Sequence, residues 1–217
     1  MAIEKISFSN DPNIGLYGFA TDEYCLVGDV EHKYFEKLKD TLDVKIIKTK
    51  ISGTNFAGMF STGNSSGIVV PEIIKKHELD NLKKDFEVIV IRGRYTALGN
   101  LILMNDKGIV ISKKLEGYKN KIEETFNLKV SVGNIGGLDI IGSLAVCNNN
   151  GCLVSKFADS KNLDLIQSTL KVKTEYSTVN FGSNFVKSGV ITNSKGLLTG
   201  ELTSGPEMDR ISETLGV

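Results

Sequence analysis

The most constraining feature of this chain is a turn written four times. Asn64-Ser-Ser-Gly67, Asn105-Asp-Lys-Gly108, Asn148-Asn-Asn-Gly151 and Asn193-Ser-Lys-Gly196 lie 41, 43 and 45 residues apart. Asn opens a β-turn because its side chain can bond the backbone ahead of it, and Gly at the fourth position is expected to supply the positive φ that closes a hairpin. One such turn says little. Four at near-even spacing, each between apolar runs, define an internal repeat, which limits the fold to architectures built by stacking one unit.

A second register agrees. Gly58, Gly99, Gly142 and Lys187 each stand six residues before a turn asparagine. Stepping back by 43 reaches Gly15 and Thr21, a first unit whose turn, Thr21-Asp-Glu-Tyr24, has lost both Asn and Gly. The anchors 15, 58, 99, 142 and 187 therefore mark five units, with boundaries expected at about 11–51, 52–95, 96–136, 137–180 and 181–217 plus 1–8.

Each unit follows one ββαβ plan. An apolar run enters the turn, as in Leu98-Gly-Asn-Leu-Ile-Leu-Met104, and another leaves it, as in Gly67-Ile-Val-Val70 or Gly108-Ile-Val-Ile111. Apolar residues at consecutive positions predict strands covered on both faces. One-sided stripes at helical spacing follow: Phe35/Leu38/Leu42, Leu79/Leu82/Phe86, Tyr118/Ile122/Phe126, Leu163/Ile166/Leu170 and Met208/Ile211/Leu215. They predict surface helices, the last opened by the capping box Ser204-Gly-Pro-Glu207. Third strands are expected at 44–47, 88–91, 128–132 and 172–176, but Val217 leaves no room for one in the fifth unit. The N-terminal run Ile3-Glu-Lys-Ile-Ser-Phe8 is spare and supplies it, closing a ring with strands at the centre and helices outside. Closure also removes the exposed sheet ends and the need for the polar caps of an open solenoid.

Composition narrows the function. Among 217 residues, 26 basic side chains balance 26 acidic ones, which argues against a protein held to nucleic acid by bulk positive charge. No run approaches 18 uninterrupted apolar residues, so no membrane span is expected. The start Met-Ala-Ile-Glu-Lys-Ile lacks a signal-peptide core, so the chain is expected to stay in the cytoplasm, and the glycosylation sequon at Asn64 is expected to go unread. The three cysteines, Cys25, Cys147 and Cys152, are too few for a disulfide framework.

Nothing in the sequence has the form of an active site. His32 and His77 fall on polar helix faces and read as solvated surface. Cys147 and Cys152 flank the fourth turn and can face each other across it, but without further ligands nearby they read as small core residues rather than a zinc site. No glycine-rich phosphate loop occurs, and the acidic residues are scattered. No catalytic residue, cofactor or metal is therefore expected. What remains is the end of the ring where the anchors recur. The residues after the anchors are Leu16, Met59, Asn100, Ser143 and Ser188, a mixed apolar and small polar circle suited to docking. The competing reading is that the glycines serve only close strand packing.

Five strings carry a resemblance: Glu23-Tyr-Cys-Leu-Val27, Gly67-Ile-Val-Val-Pro71, Thr96-Ala-Leu-Gly-Asn100, Thr178-Val-Asn-Phe-Gly-Ser183 and Thr203-Ser-Gly-Pro-Glu207. With the five-unit plan they make the chain similar, over its whole length, to the translation initiation factor 6 family of ribosome anti-association factors. The resemblance implies the pentein fold, a closed five-fold pseudo-symmetric α/β propeller. It implies a non-enzymatic, monomeric factor that binds the large ribosomal subunit where it meets the small one and so blocks their association, with a part in large-subunit biogenesis. The implied contact is a uL14-type ribosomal protein, with the sarcin–ricin loop of the ribosomal RNA nearby. Leu98, Gly99 and Asn100 match the family's Leu-Gly-Asn, and the expected site extends to Leu16, Met59 and Ser143. Two departures stand out: Lys187 replaces an anchor glycine, and Phe181 stands where many relatives carry a basic residue. The end at Val217, where eukaryotic members continue into a tail, matches an archaeal-type member. The alternative is a guanidine-modifying pentein enzyme of the amidinotransferase or deiminase type. These attack with a cysteine late in the chain, and the last 65 residues here contain none.

Overall fold

Each repeat folds into a three-stranded sheet with a helix laid outside it, in a computed structural model that describes residues 2–217. The first sheet comprises Gly18–Ala20, Tyr24–Val27 and Lys45–Lys48; the second, Thr62–Asn64, Gly67–Pro71 and Glu87–Ile91. The third comprises Ile102–Met104, Ile109–Ser112 and Val130–Gly133; the fourth, Ala145–Cys147, Gly151–Ser155 and Lys173–Ser177. In all four the second strand is central, antiparallel to the first and parallel to the third. The fifth sheet is completed by the opposite end of the chain. Ala2–Ile6 lies parallel to Gly196–Gly200, with Ala2 opposite Gly196 and Ile6 opposite Gly200.

The central strands are buried along their whole length, as their unbroken apolar runs predict. The helices His32–Leu42, Lys76–Leu82, Lys119–Phe126, Ser160–Leu170 and Gly205–Leu215 turn their apolar stripes inward, together with the polar side chains Thr41, Glu78, Thr169 and Thr214. Two details depart from expectation. Phe86 lies beyond its helix, packed against Tyr24 with ring centroids 4.4 Å apart. Leu98–Asn100 forms a 3₁₀ turn, so the third inner strand begins only at Ile102.

The interior is five apolar clusters rather than one, and each straddles a junction between neighbours. Leu103 and Val110 of the third repeat pack with Ile141, Leu144 and Ile166 of the fourth, and Leu153 of the fourth packs with Val186 and Ile211 of the fifth. Ile191 and Leu198 of the fifth join Ile14, Cys25 and Leu38 of the first, which closes the ring. No repeat can bury its apolar face without its neighbour.

The turn asparagines fasten these junctions. The Oδ1 of Asn148 accepts from the Asn150 and Gly151 amides at 2.8 and 2.9 Å, as an Asx turn requires. Its Nδ2 then donates across the junction to the Asn193 and Leu215 carbonyls, both at 2.9 Å. Asn105 reaches Asn148 and Leu170 in the same way, and Asn193 reaches Thr21 and Leu42. Each amide thus pairs the next turn with the last carbonyl of the next helix, one of the groups a helix end leaves unbonded. In the first unit, where Thr21 is too short, the Tyr24 hydroxyl donates to the Asn64 carbonyl at 3.0 Å instead. Asn64 has a single long reach, 3.4 Å to Asn105, and a groove of about 660 Å³ lined by Tyr24, Phe86 and Phe126 opens at these looser junctions.

The turn glycines serve a purpose other than the expected positive φ, which Gly67, Gly108, Gly151 and Gly196 all lack. A Cβ at Gly108, Gly151 or Gly196 would collide with the carbonyl of Thr169, Thr214 or Thr41, in the helix of the next repeat. Glycine is required there by the approach of that helix, not by turn geometry.

Replacing Asn148 by Ala should cost about 2–4 kcal/mol, because two buried carbonyls lose their donor and two turn amides their acceptor. Asn64→Ala should cost clearly less, since only one weak junction contact is lost. Urea unfolding of both variants checks the order.

Candidate functional site

The five anchors meet at one end of the ring. Gly58 packs on the Gly15 carbonyl, Gly99 on Gly58, Gly142 on Gly99, and Gly15 on Lys187, each so closely that a Cβ would collide with the carbonyl beneath it. The short helical turns around these residues bring successive backbones into contact, and the residues that follow the glycines surround the axis. Leu16, Asn100, Ser143 and Ser188 line a cavity of about 390 Å³ there, together with Phe185 and Lys187.

The expected site residues divide into two groups. Leu16, Met59, Asn100 and Ser143 are all half-buried around this end, and three of them border the cavity directly. Neither the Asn100 carboxamide nor the Ser143 hydroxyl makes a hydrogen bond to any described residue, so both are free to bond a partner; Ser188, by contrast, is occupied by Asn13 and the Phe185 carbonyl. Leu98 and Gly99 belong to the scaffold. The Leu98 side chain is fully buried in an apolar cluster, and Gly99 is enclosed between neighbouring carbonyls. Of the three residues of the expected Leu-Gly-Asn site, only Asn100 is more than slightly exposed in this structure.

Lys187 is the feature that sequence reasoning placed but did not interpret. Its side chain crosses the axis, and Nζ donates to the Gly58 carbonyl at 2.6 Å and the Gly99 carbonyl at 2.9 Å. A single lysine in a register of glycines was the available signal; that it becomes a strut between the fifth, second and third repeats depends on the ring. Burial of the ammonium pushes its pKa down to about 7, with the Cys147 thiol acting weakly in the opposite direction.

Other candidate chemistry is absorbed by structure. His32 and His77 are exposed. Cys147 and Cys152 are directly opposed across the fourth hairpin, and burial raises the Cys152 thiol well above its usual range. Cys25 is enclosed and pushed up to about 12 by the same cause. Neither is poised as a thiolate nucleophile. Among the described residues no group of three His, Cys, Asp or Glu side chains is arranged to hold a metal, and no helix is long and apolar enough to cross a membrane.

The folded chain releases the Lys187 proton near 7, whereas the unfolded chain holds it up to the ordinary lysine value of 10.5. Between those values the unfolded state binds more protons, so stability rises with pH across that window. The wild-type protein should therefore gain stability from about pH 7 to about pH 9, above which the buried thiols of Cys25 and Cys152, ionised only on unfolding, act in the opposite direction, and Lys187→Met should lose most of that gain. Urea midpoints at a series of pH values check it.

Comparison with known proteins places this geometry in context. The model of the eIF-6 family matches residues 3–214. The chain is 36% identical over 225 residues to a protein of Pyrococcus horikoshii named Translation initiation factor 6, covering 100% of this chain and 99% of that one. It is 40% identical over 223 residues to the protein of that name in Staphylothermus marinus, covering 99% and 98%. The match to the one in Methanocaldococcus jannaschii is 36% over 228 residues, covering 100% and 99%. All three relatives are archaeal and are named as translation factors rather than enzymes.

Proposed function

Because this chain belongs to the eIF-6 family, we propose that it binds the large ribosomal subunit through the anchor end of the ring and prevents premature joining of the small subunit. The observation that carries this reading is the pair of unbonded polar side chains, Asn100 and Ser143, held at fixed positions around the axial cavity. A site built on a rigid ring loses little freedom on binding, so a few well-placed hydrogen bonds and apolar contacts suffice for affinity.

In this reading Leu16, Met59, Asn100 and Ser143 contact a uL14-type ribosomal protein, with the sarcin–ricin loop close by. The protein acts as a monomer in the cytoplasm, where subunits join. Its effect follows mass action: the small subunit is excluded only as far as affinity and concentration saturate the site. A role in large-subunit biogenesis follows if the factor binds before subunits first meet. The guanidine-modifying alternative has no observation in its favour, since the last cysteine, Cys152, is fully buried among apolar residues.

Purified protein added to large subunits before small ones should reduce the yield of joined ribosomes on a sucrose gradient; an unchanged yield at saturating factor would refute the proposal. Asn100→Arg should weaken co-sedimentation with large subunits at least tenfold, because a bulky charge enters a confined polar site. Its melting temperature should stay within a few degrees of wild type, as the Asn100 side chain makes no internal hydrogen bond and borders the cavity.

A further inference from the structure

The fourth hairpin carries a thiol on each side of its turn, Cys147 before it and Cys152 after it. In the first hairpin the equivalent residues are Ala20 and Cys25, and in the remaining three neither position is a cysteine. The pairing of thiols is therefore a property of one repeat and not of the repeated plan.

Sheet geometry brings the two sulfurs together. The Asn148 amide donates to the Gly151 carbonyl at 3.1 Å, which makes these residues the last hydrogen-bonded pair of the hairpin. The pair behind them, Cys147 and Cys152, takes a non-hydrogen-bonded position, since the two kinds alternate along an antiparallel ladder. At such positions the Cα atoms approach to about 4.5 Å, and directly opposed side chains leave the same face of the sheet. A disulfide spans Cα separations of about 4.4–6.8 Å, so this bond can form without parting the strands.

Access differs between the two thiols. Cys152 is fully enclosed, and burial, together with the Cys147 thiol beside it, keeps it protonated. Cys147 is half-buried. It borders an axial cavity of about 40 Å³ that Lys187 also lines, and a second of about 20 Å³ among the turn asparagines. Spaces of this size admit a molecule little larger than water. The Lys187 ammonium and the Cys147 thiol are close enough to interact, and a cation beside a cysteine favours the thiolate, the form that attacks a peroxide.

We propose that Cys147 and Cys152 are a peroxide-responsive pair that closes into a cross-strand disulfide. Cys147 Sγ attacks one oxygen of hydrogen peroxide and the O–O bond breaks. The departing hydroxide takes the thiol proton and leaves as water, and Cys147 becomes a sulfenic acid. Cys152 Sγ then attacks Cys147 Sγ, the S–O bond breaks, and the hydroxyl leaves with the Cys152 proton as a second water. Two thiols are oxidised by two electrons while one peroxide is reduced to two waters. Cys152 needs no lowered pKa for this, because its target is held against it. Cys147 Sγ also donates to the Met104 carbonyl of the third repeat at 3.3 Å, so oxidation exchanges a contact between repeats for a covalent tie within one.

Cys25 supplies the internal comparison, being as deeply buried as Cys152 and at the equivalent position, but facing Ala20. Folded protein is treated with hydrogen peroxide, unfolded, alkylated at its remaining thiols and cut with trypsin, which releases both cysteines of the pair in the peptide 130–156. That peptide should be unalkylated, lighter by two hydrogens and restored by dithiothreitol, and it should form at least about tenfold faster than Cys25 is lost. In Cys152→Ala, peroxide should leave a sulfenic acid on Cys147 that dimedone traps; the wild-type peptide decides alone if this variant folds poorly. Sulfinic acid on wild-type Cys147 with Cys152 still alkylated overturns the proposal, as does finding both thiols free after prolonged treatment. Disulfide-linked dimers overturn it too, and so does loss of Cys25 at the rate of the pair, which means that oxidation waits for unfolding.

Discussion

The ring depends on a single donated amide repeated around it. Each turn asparagine satisfies its own turn with Oδ1 and the next repeat with Nδ2, so one side chain both ends a hairpin and fixes the neighbour's position. The acceptors of Asn105, Asn148 and Asn193 include the final carbonyl of the next helix, which would otherwise be buried without a donor. Because the same glycines that follow these turns admit that helix to van der Waals distance, the Asn and the Gly of the motif serve one purpose. The pair is a clamp between repeats, and the hairpin is its by-product.

Five equal clamps would make a symmetric ring, and this chain departs from symmetry in two places. Across the first and second junctions the amide clamp is replaced by the Tyr24 hydroxyl or stretched to 3.4 Å, and the ring opens into a groove. At the axis, Lys187 replaces the fifth glycine and carries its ammonium to the Gly58 and Gly99 carbonyls on the far side. The lysine compensates in part for the looser junctions, since it ties the fifth repeat directly to the second and third. Its buried charge costs desolvation, which is why its proton is released near neutral pH.

Much of this is legible in the sequence alone. The repeat length, the five units, the degenerate first turn and the borrowed N-terminal strand all follow from spacing, because a repeat must give each unit the same set of partners. The position of Asn100 beside an anchor glycine was legible for the same reason. The division of Leu98, Gly99 and Asn100 into a core residue, a packing residue and a free side chain was not, since three consecutive residues carry no periodicity to separate them. Nor was the 3₁₀ turn at Leu98, whose apolar neighbours read equally well as strand.

The sequence by itself determined the unit, its count and the order of elements within it, since these rest on local pattern and on the need of each apolar face for a neighbour. Only the tertiary structure decided what the repeated residues touch. Glycines expected to turn the chain instead make room for a helix, because the approach of the next repeat is a long-range fact that no local window contains. A lysine out of register became a strut across the axis. The physical reason is closure: Lys187 and the carbonyls of Gly58 and Gly99, far apart in the chain, become neighbours only once the first strand lies beside the last sheet.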